Sequence, residues 1–151
     1  MMRFQPLSAV FLTLFLFVSM QSLHADDQEI LKKVTSGKMK ALLVGEGYED
    51  VTIDSDDDLV VRMNGYRVLI FVRFAEYSRI QFSFALSGTN ATLESVNKWN
   101  QDKLYGRMYL DGDGDPALKM DLDMAGGVTI ARIRDAIMTF SQLQKAFIET
   151  L

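Results

Sequence analysis

The sequence predicts an α+β fold in which helices pack on one face of an antiparallel sheet, in the order α-β-β-β-β-α-β-β-α. Three observations lead to this prediction. Two strand pairs are joined by short polar turns, several strands alternate apolar and polar side chains, and three segments have helical periodicity. Because hairpin-joined strands form antiparallel sheets with one apolar face each, the helices are expected on that face.

The first predicted helix covers residues 27–44. The acidic residues Asp26, Asp27 and Glu29 stand at its start, where the helix dipole favours negative charge, and Gly45 and Gly47 end it. Its apolar stripe consists of Ile30, Leu31, Val34, Ala41 and Leu42.

Four strands are predicted next, over residues 48–53, 59–63, 66–73 and 80–86. Asn64-Gly65 joins the second to the third, since both central residues of such a two-residue turn need positive φ. In the fourth, Ile80, Phe82 and Phe84 alternate with polar or small residues, which is typical of a half-buried strand.

The second half of the chain is predicted to form a helix, a hairpin and a second helix. The first helix covers residues 90–104 with Asn90 or Thr92 as N-cap, and the hairpin strands cover 107–111 and 117–124. The last helix covers 129–151. Its apolar stripe consists of Ile130, Ile133, Ile137, Phe140, Phe147 and Leu151.

Residues 1–25 have the pattern of a secretory signal peptide. Arg3 provides positive charge, residues 7–19 form an apolar run, and Ala25 offers a small residue before the cut. Thirteen helical residues span only about 20 Å, too short for a hydrocarbon core of ~30 Å. We therefore expect export to the periplasm or beyond, cleavage after Ala25, no membrane attachment afterwards, and one domain over residues 26–151.

The composition excludes several kinds of chemistry. The chain has no cysteine, and its single histidine, His24, lies in the expected signal peptide. Thiolate nucleophiles, disulfides, imidazole bases and Cys/His zinc sites are therefore absent from the expected mature chain. The net charge of −4 disfavours nucleic acid as a partner. No phosphate-binding loop or nucleophile elbow occurs, so we expect no enzyme and no cofactor, with a carboxylate-based glycan hydrolase as a remaining alternative.

Asp111, Asp113 and Asp115 occupy alternate positions separated by glycine, which resembles the start of a calcium loop. Pro116 and Leu122 stand where that loop needs Gly and Glu, and the flanking segments are predicted strands. The pattern favours a charged hairpin turn. A weak calcium site is the alternative.

A second acidic segment, residues 49–58, contains six carboxylates. On a turn, such a segment is usually a solvated surface, and a site for a basic partner is the alternative.

The helix over 90–104 places Asn97 and Asn100 on the same face as Leu93 and Leu104, at 100° per residue. Buried amides need partners, so these asparagines either bond to the backbone of the sheet or next hairpin, or line a polar groove. Trp99 lies about 120° away, at the edge of the apolar stripe. It is either the rim of the core or a binding anchor.

Four segments of the chain are distinctive in combination: GEGY at 45–48, VNKWN at 96–100, RMYLD at 107–111 and DLDMAGG at 121–127. With these segments, the chain resembles the YbjN-like family of bacterial sensory-transduction regulators. The resemblance spans residues 28–150 and is most specific where the Asn-x-Trp-Asn helix precedes the Arg-x-Tyr strand.

The resemblance implies a fold similar to that of type III secretion chaperones, which usually dimerise and bind an extended client segment. It therefore implies a non-catalytic regulatory or chaperone-like module with a polypeptide partner, and it allows a homodimer. Members without an export signal are associated with stress and surface regulation, whereas the signal here favours a role in the envelope. The candidate partner-binding residues are Asn97, Trp99, Asn100, Arg107 and Tyr109.

Overall fold

The computed structural model describes residues 27–72 and 76–151, and it confirms the α+β class and the order of helices and strands. The expected signal peptide, residues 1–25, lies outside the described residues. The helices are α1 (Ser36–Gly45), α2 (Leu93–Asp102) and α3 (Ile130–Thr150). The strands are β1 (Ile30–Leu31), β2 (Thr52–Ile53), β3 (Leu59–Met63), β4 (Tyr66–Phe71), β5 (Arg79–Ala85), β6 (Arg107–Leu110), β7 (Pro116–Asp123) and β8 (Val128–Thr129).

The main sheet is antiparallel and has the strand order β2-β3-β4-β5-β7-β6. β7 pairs with β5 from Ala85↔Ala117 to Arg79↔Asp123, but it pairs with β6 only from Leu110↔Pro116 to Arg107↔Lys119. The second half of β7 is therefore paired on one side only.

The two faces of this sheet differ sharply in burial. One face, which we call the inner face, packs against the helices and provides most of the core. The stacked rings of Phe82 and Phe140 join β5 to α3, and Phe147 of α3 makes edge contacts with Phe84 and Trp99. On the other, outer face the side chains are exposed or half-buried, apart from Ala117.

The hairpin turns have the predicted chemistry. Asn64 and Gly65 have φ of 48° and 84°, as the two-residue turn requires. In the turn before β3, the Asp54 carboxylate accepts the N–H groups of Asp56 and Asp58 at 2.9 and 3.0 Å. In the turn before β7, the Asp111 carboxylate accepts the N–H groups of Asp113 and Asp115, both at 3.0 Å. The acidic segments therefore close hairpins, and the Asp111–Asp115 turn is confirmed as a turn.

The first helix is shorter than predicted. α1 begins after Thr35, whose side chain accepts the Lys38 N–H at 3.2 Å, and residues Ile30–Leu31 pair with Val128–Thr129 as a two-stranded sheet. The prediction of helix over 28–35 was wrong, because this tertiary pairing and the Thr35 cap outweigh the weak helical periodicity. The predicted strand over 48–53 is likewise reduced to Thr52–Ile53.

α2 is capped by Thr92, whose side chain accepts the Ser95 N–H while Ser95 Oγ accepts the Thr92 N–H. Its predicted apolar face was wrong. Leu93 and Leu104 are each 74% exposed, whereas Val96 and Trp99 are buried. The large indole, packed on Phe147, sets the rotation of this short helix.

Asn100 connects α2 to the outer edge of β6. Its Nδ2 donates to the Met108 carbonyl oxygen at 3.0 Å, and the Met108 N–H donates to its Oδ1 at 2.9 Å. The amide therefore satisfies the two Met108 backbone groups that face away from β7, as a neighbouring strand would. This is the backbone-bonding role that the sequence allowed for Asn100.

We expect Asn100→Ala to lower the free energy of unfolding by about 1–3 kcal/mol, because two backbone groups of a buried residue lose their partner. Asn97→Ala, on an exposed position of the same helix, should change it by less than about 0.5 kcal/mol. Urea unfolding of both variants measures the difference. Equal losses would contradict a bracing role for Asn100.

We expect Asp111→Ala to lower the free energy of unfolding by about 1 kcal/mol, as the loss of a helix cap does, because two turn N–H groups lose their acceptor. Asp113→Ala should have little effect. Thermal unfolding with and without several millimolar Ca²⁺ checks this. A Ca²⁺-dependent rise in Tm that Asp113→Asn abolishes would show instead that the turn binds calcium.

Candidate functional site

Trp99 faces the core and is only 2% exposed. Its Nε1 donates to the Gly106 carbonyl oxygen at 3.3 Å, and Lys103 Nζ lies 5.5 Å from the ring centroid. The indole thus ties α2 to the loop before β6.

The other predicted site residues lie in different surroundings. Asn97 is exposed on α2, Asn100 braces β6, and Arg107 and Tyr109 point from β6 to the outer face of the sheet. The five residues therefore do not line one groove. Partner binding by them stays a prediction.

A free strand edge lies next to the start of β6, where β7 extends beyond β6. The Leu86 N–H donates to the Pro116 carbonyl at 3.1 Å and the Met124 N–H donates to the Ser78 carbonyl at 2.9 Å. Even-numbered residues of β7 therefore direct their backbone groups toward β5. The backbone groups of Asp121 and Asp123 consequently point the other way, past the start of β6.

The loop between α2 and β6 leaves this edge open. Tyr105 has a φ of 68°, which turns the chain away from the line of β6. At Gly106, a Cβ would lie 3.0 Å from side-chain carbons of both Leu118 and Leu143, so any larger residue there would have to displace these two leucine side chains. β6 therefore begins at Arg107, opposite Lys119, and no earlier.

A hollow of about 230 Å³ lies against the free edge. It is bounded by β7, α3 and the exposed ring of Tyr105, and it combines an apolar floor with an ion pair between Arg132 and Asp135. Its lining residues are Tyr105, Met120, Asp121, Leu122, Arg132, Asp135, Ala136 and Thr139.

The Asp121 carboxylate is fully engaged on the outer face. Burial by itself raises its pKa, but hydrogen bonds from Gln81 at 2.7 Å and Arg107 at 2.6 Å, with the charges of Arg107 and Arg79, lower the pKa below 3.8 overall. Asp121 is therefore ionised and held by these partners near neutral pH. Its backbone, in contrast, faces the hollow.

The described residues contain no group of three or more acidic, His or Cys side chains that could hold a metal ion. Asp111 uses one carboxylate oxygen for two backbone N–H groups of its turn. Within 27–72 and 76–151, the helices are also too short or too polar to cross a bilayer. The arrangement at β7 suits hydrogen bonding to an extended chain and contact with one or two side chains.

The free edge and the position of Tyr105 and Thr139 beside the hollow were not predicted from the sequence. The sequence does contain evidence for the free edge, because the two predicted strands of the second hairpin differ in length, 107–111 against 117–124. An antiparallel pair with unequal arms leaves the longer arm unpaired at the end away from the turn.

Comparison with known families gives one result that covers most of the chain. Residues 37–151, from α1 to the end of α3, match the family YbjN, described as "putative bacterial sensory transduction regulator". No curated protein is similar enough in sequence to count as a relative. The likeness to type III secretion chaperones stays a prediction. On the match over residues 37–151, the chain belongs to the YbjN family.

Proposed function

We propose that this protein is a non-catalytic regulatory module of the bacterial envelope that binds an extended polypeptide segment along the free edge of β7. Membership of the YbjN family supports a regulatory or binding role. Export to the periplasm is supported by the signal-like pattern of residues 1–25. The unpaired backbone of Asp121 and Asp123, beside a formed hollow, is the observation that supports the binding mode.

Backbone groups provide the first part of the interaction. An extended segment lying in line with β6 and antiparallel to β7 can exchange hydrogen bonds with the N–H and C=O of Asp121 and Asp123. Each bond contributes roughly 1 kcal/mol net, so main-chain pairing alone gives weak binding. Further affinity has to come from side chains.

The hollow provides the second part. Alternate side chains of an added strand point to the inner face, where Met120, Leu122 and Ala136 offer apolar contact. At about 230 Å³ the hollow is smaller than the ~300–1,000 Å³ of typical small-ligand sites. Its size therefore favours one or two side chains of a peptide over a separate small molecule.

The charges along the edge favour a partner other than a second copy. Antiparallel pairing of two β7 edges would place Asp121 and Asp123 opposite the same carboxylates of the other copy, and like charges in that position are destabilising. A partner segment with neutral or basic side chains on the outer face avoids this repulsion. A homodimer, if formed, is expected to use another surface.

The edge of β7 is uncovered, whereas the edge of β6 beside it is covered, and this difference supports a binding role for β7. Exposed edges promote aggregation, and proteins usually block them. The edge of β6 is closed by the Asn100 amide, whereas the adjoining half of β7 has no such cover among the described residues. A short free edge of this kind suits a specific partner.

We expect Thr139→Phe to fill the hollow and reduce partner capture at least about tenfold, because the added ring occupies the space for the partner's side chain. The tagged full chain is used for capture from envelope extract, with quantitative mass spectrometry. Met138→Phe, on the adjacent and 54% exposed position of α3, is the matched control and should capture normally.

Circular dichroism of both variants is the control for correct folding. A polypeptide captured equally by the wild type, Thr139→Phe and Met138→Phe would contradict binding at the hollow. Absence of any polypeptide enriched over the control resin would contradict the polypeptide-binding role itself.

A further inference from the structure

We propose that the outer face of the sheet is a second recognition surface, which binds an acidic segment of polypeptide. This surface is separate from the hollow beside β7 and does not depend on it. Its basic residues, which we call the basic face, are Arg62, Arg67, Arg79, Arg107 and Lys119.

Strand register places four of these cations in two directly opposed pairs. Arg62 lies opposite Arg67 in β3 and β4, and Arg107 lies opposite Lys119 in β6 and β7. Directly opposed side chains have Cβ atoms about 4.5–5.5 Å apart, and like charges there are destabilising. Two such pairs on one face cost stability, which is typical of a surface retained for binding.

The acidic residues of the protein neutralise this face only in part. Arg107 pairs with Asp121 at 2.6 Å, and Arg62 Nε lies 3.8 Å from Asp50. Lys119 instead lies over the Tyr109 ring, 5.4 Å from its centroid. Within the described ranges, Arg67 and Lys119 form no ion pair, so each opposed pair contains one cation without a carboxylate partner.

The outer face is therefore more basic than the protein as a whole. The whole chain has a net charge of −4, yet the outer strand positions within 27–72 and 76–151 carry five basic residues and only Asp121 and Asp123 as acids. Such a face attracts an acidic partner, and its guanidinium groups bind carboxylates through paired hydrogen bonds.

The shape of the face suits a peptide. Small residues Ser83, Ala85 and Ala117 lie between the two cationic pairs, and a hollow of about 120 Å³ lies beside Arg62 and Arg67. Arg67 and Lys119 are on strands two apart in the sheet, roughly 10 Å, and the register offsets them by two residues, about 7 Å, along the strand direction. Their backbones are therefore about 12 Å apart, which is about three to four residues of an extended chain. The expected partner segment therefore has acidic residues about three or four positions apart.

Nucleic acid and membrane fit less well. The net charge of −4 opposes the approach of a long polyanion. A membrane surface requires large apolar side chains that insert, and none of the large exposed apolar residues of the described chain lies on this face.

The test is a titration of the full chain against a fluorescent ten-residue glutamate peptide, followed by fluorescence anisotropy. Arg67→Gln and Lys119→Gln should each weaken binding about tenfold, since each removes a charge-assisted hydrogen bond. Lys145→Gln, which makes the same charge change on the exposed side of α3, is the matched control and should leave the Kd unchanged. Thr139→Phe should also leave it unchanged, which separates this surface from the hollow.

Several results would overturn the proposal: equal weakening by Lys145→Gln, equal binding of a glutamine peptide, or tighter binding of a single-stranded oligonucleotide or of phosphatidylglycerol vesicles. Stability provides an independent readout. Arg67→Gln should leave Tm unchanged or raise it, because a like-charge pair is removed. A marked drop in Tm would show that Arg67 is structural and would also overturn the proposal.

Discussion

The pairing of β7 with a long neighbour, β5, and a short one, β6, determines the rest of this structure. β7 pairs with β5 over its length and with β6 over only its first half. The inner face of β5 and β7 supports α3 through Phe82 and Phe140, which anchors the core. The short β6 needs separate support, and α2 provides it through Asn100 and Trp99. The same shortness of β6 leaves the edge of β7 open.

The distribution of polar groups follows from this arrangement. Asp54 and Asp111 close the two long hairpin turns by accepting backbone N–H groups, so these two carboxylates have a local structural role. Among the described residues, the outer strand positions carry five basic side chains and two acidic ones, and no residue of the hydrophobic core cluster covers this face. The inner face thus provides stability, while the free edge and the outer face remain available for recognition.

The sequence predicted those features that depend on neighbouring residues. The Asn64-Gly65 turn, the alternation along β5 and β7 and the apolar stripe of α3 are all local patterns, and the structure confirms them. The rotation of α2 was not predictable in this way, because Trp99 packs on Phe147, 48 residues further along the chain. The pairing of Ile30–Leu31 with Val128–Thr129 is also non-local. The free edge depends on where β6 starts, directly after Gly106, where a Cβ would lie 3.0 Å from Leu143 of α3.

Amide hydrogen exchange at β7, measured by NMR on the free protein and on the protein with its captured partner, tests the central claim most directly. Backbone groups that lack a strand partner exchange rapidly, and pairing protects them. We expect fast exchange at Asp121 and Asp123 in the free protein, slow exchange at Leu122, and protection of both aspartates on binding. Slow exchange at Asp121 and Asp123 in the free protein, or no change when the partner binds, would contradict it.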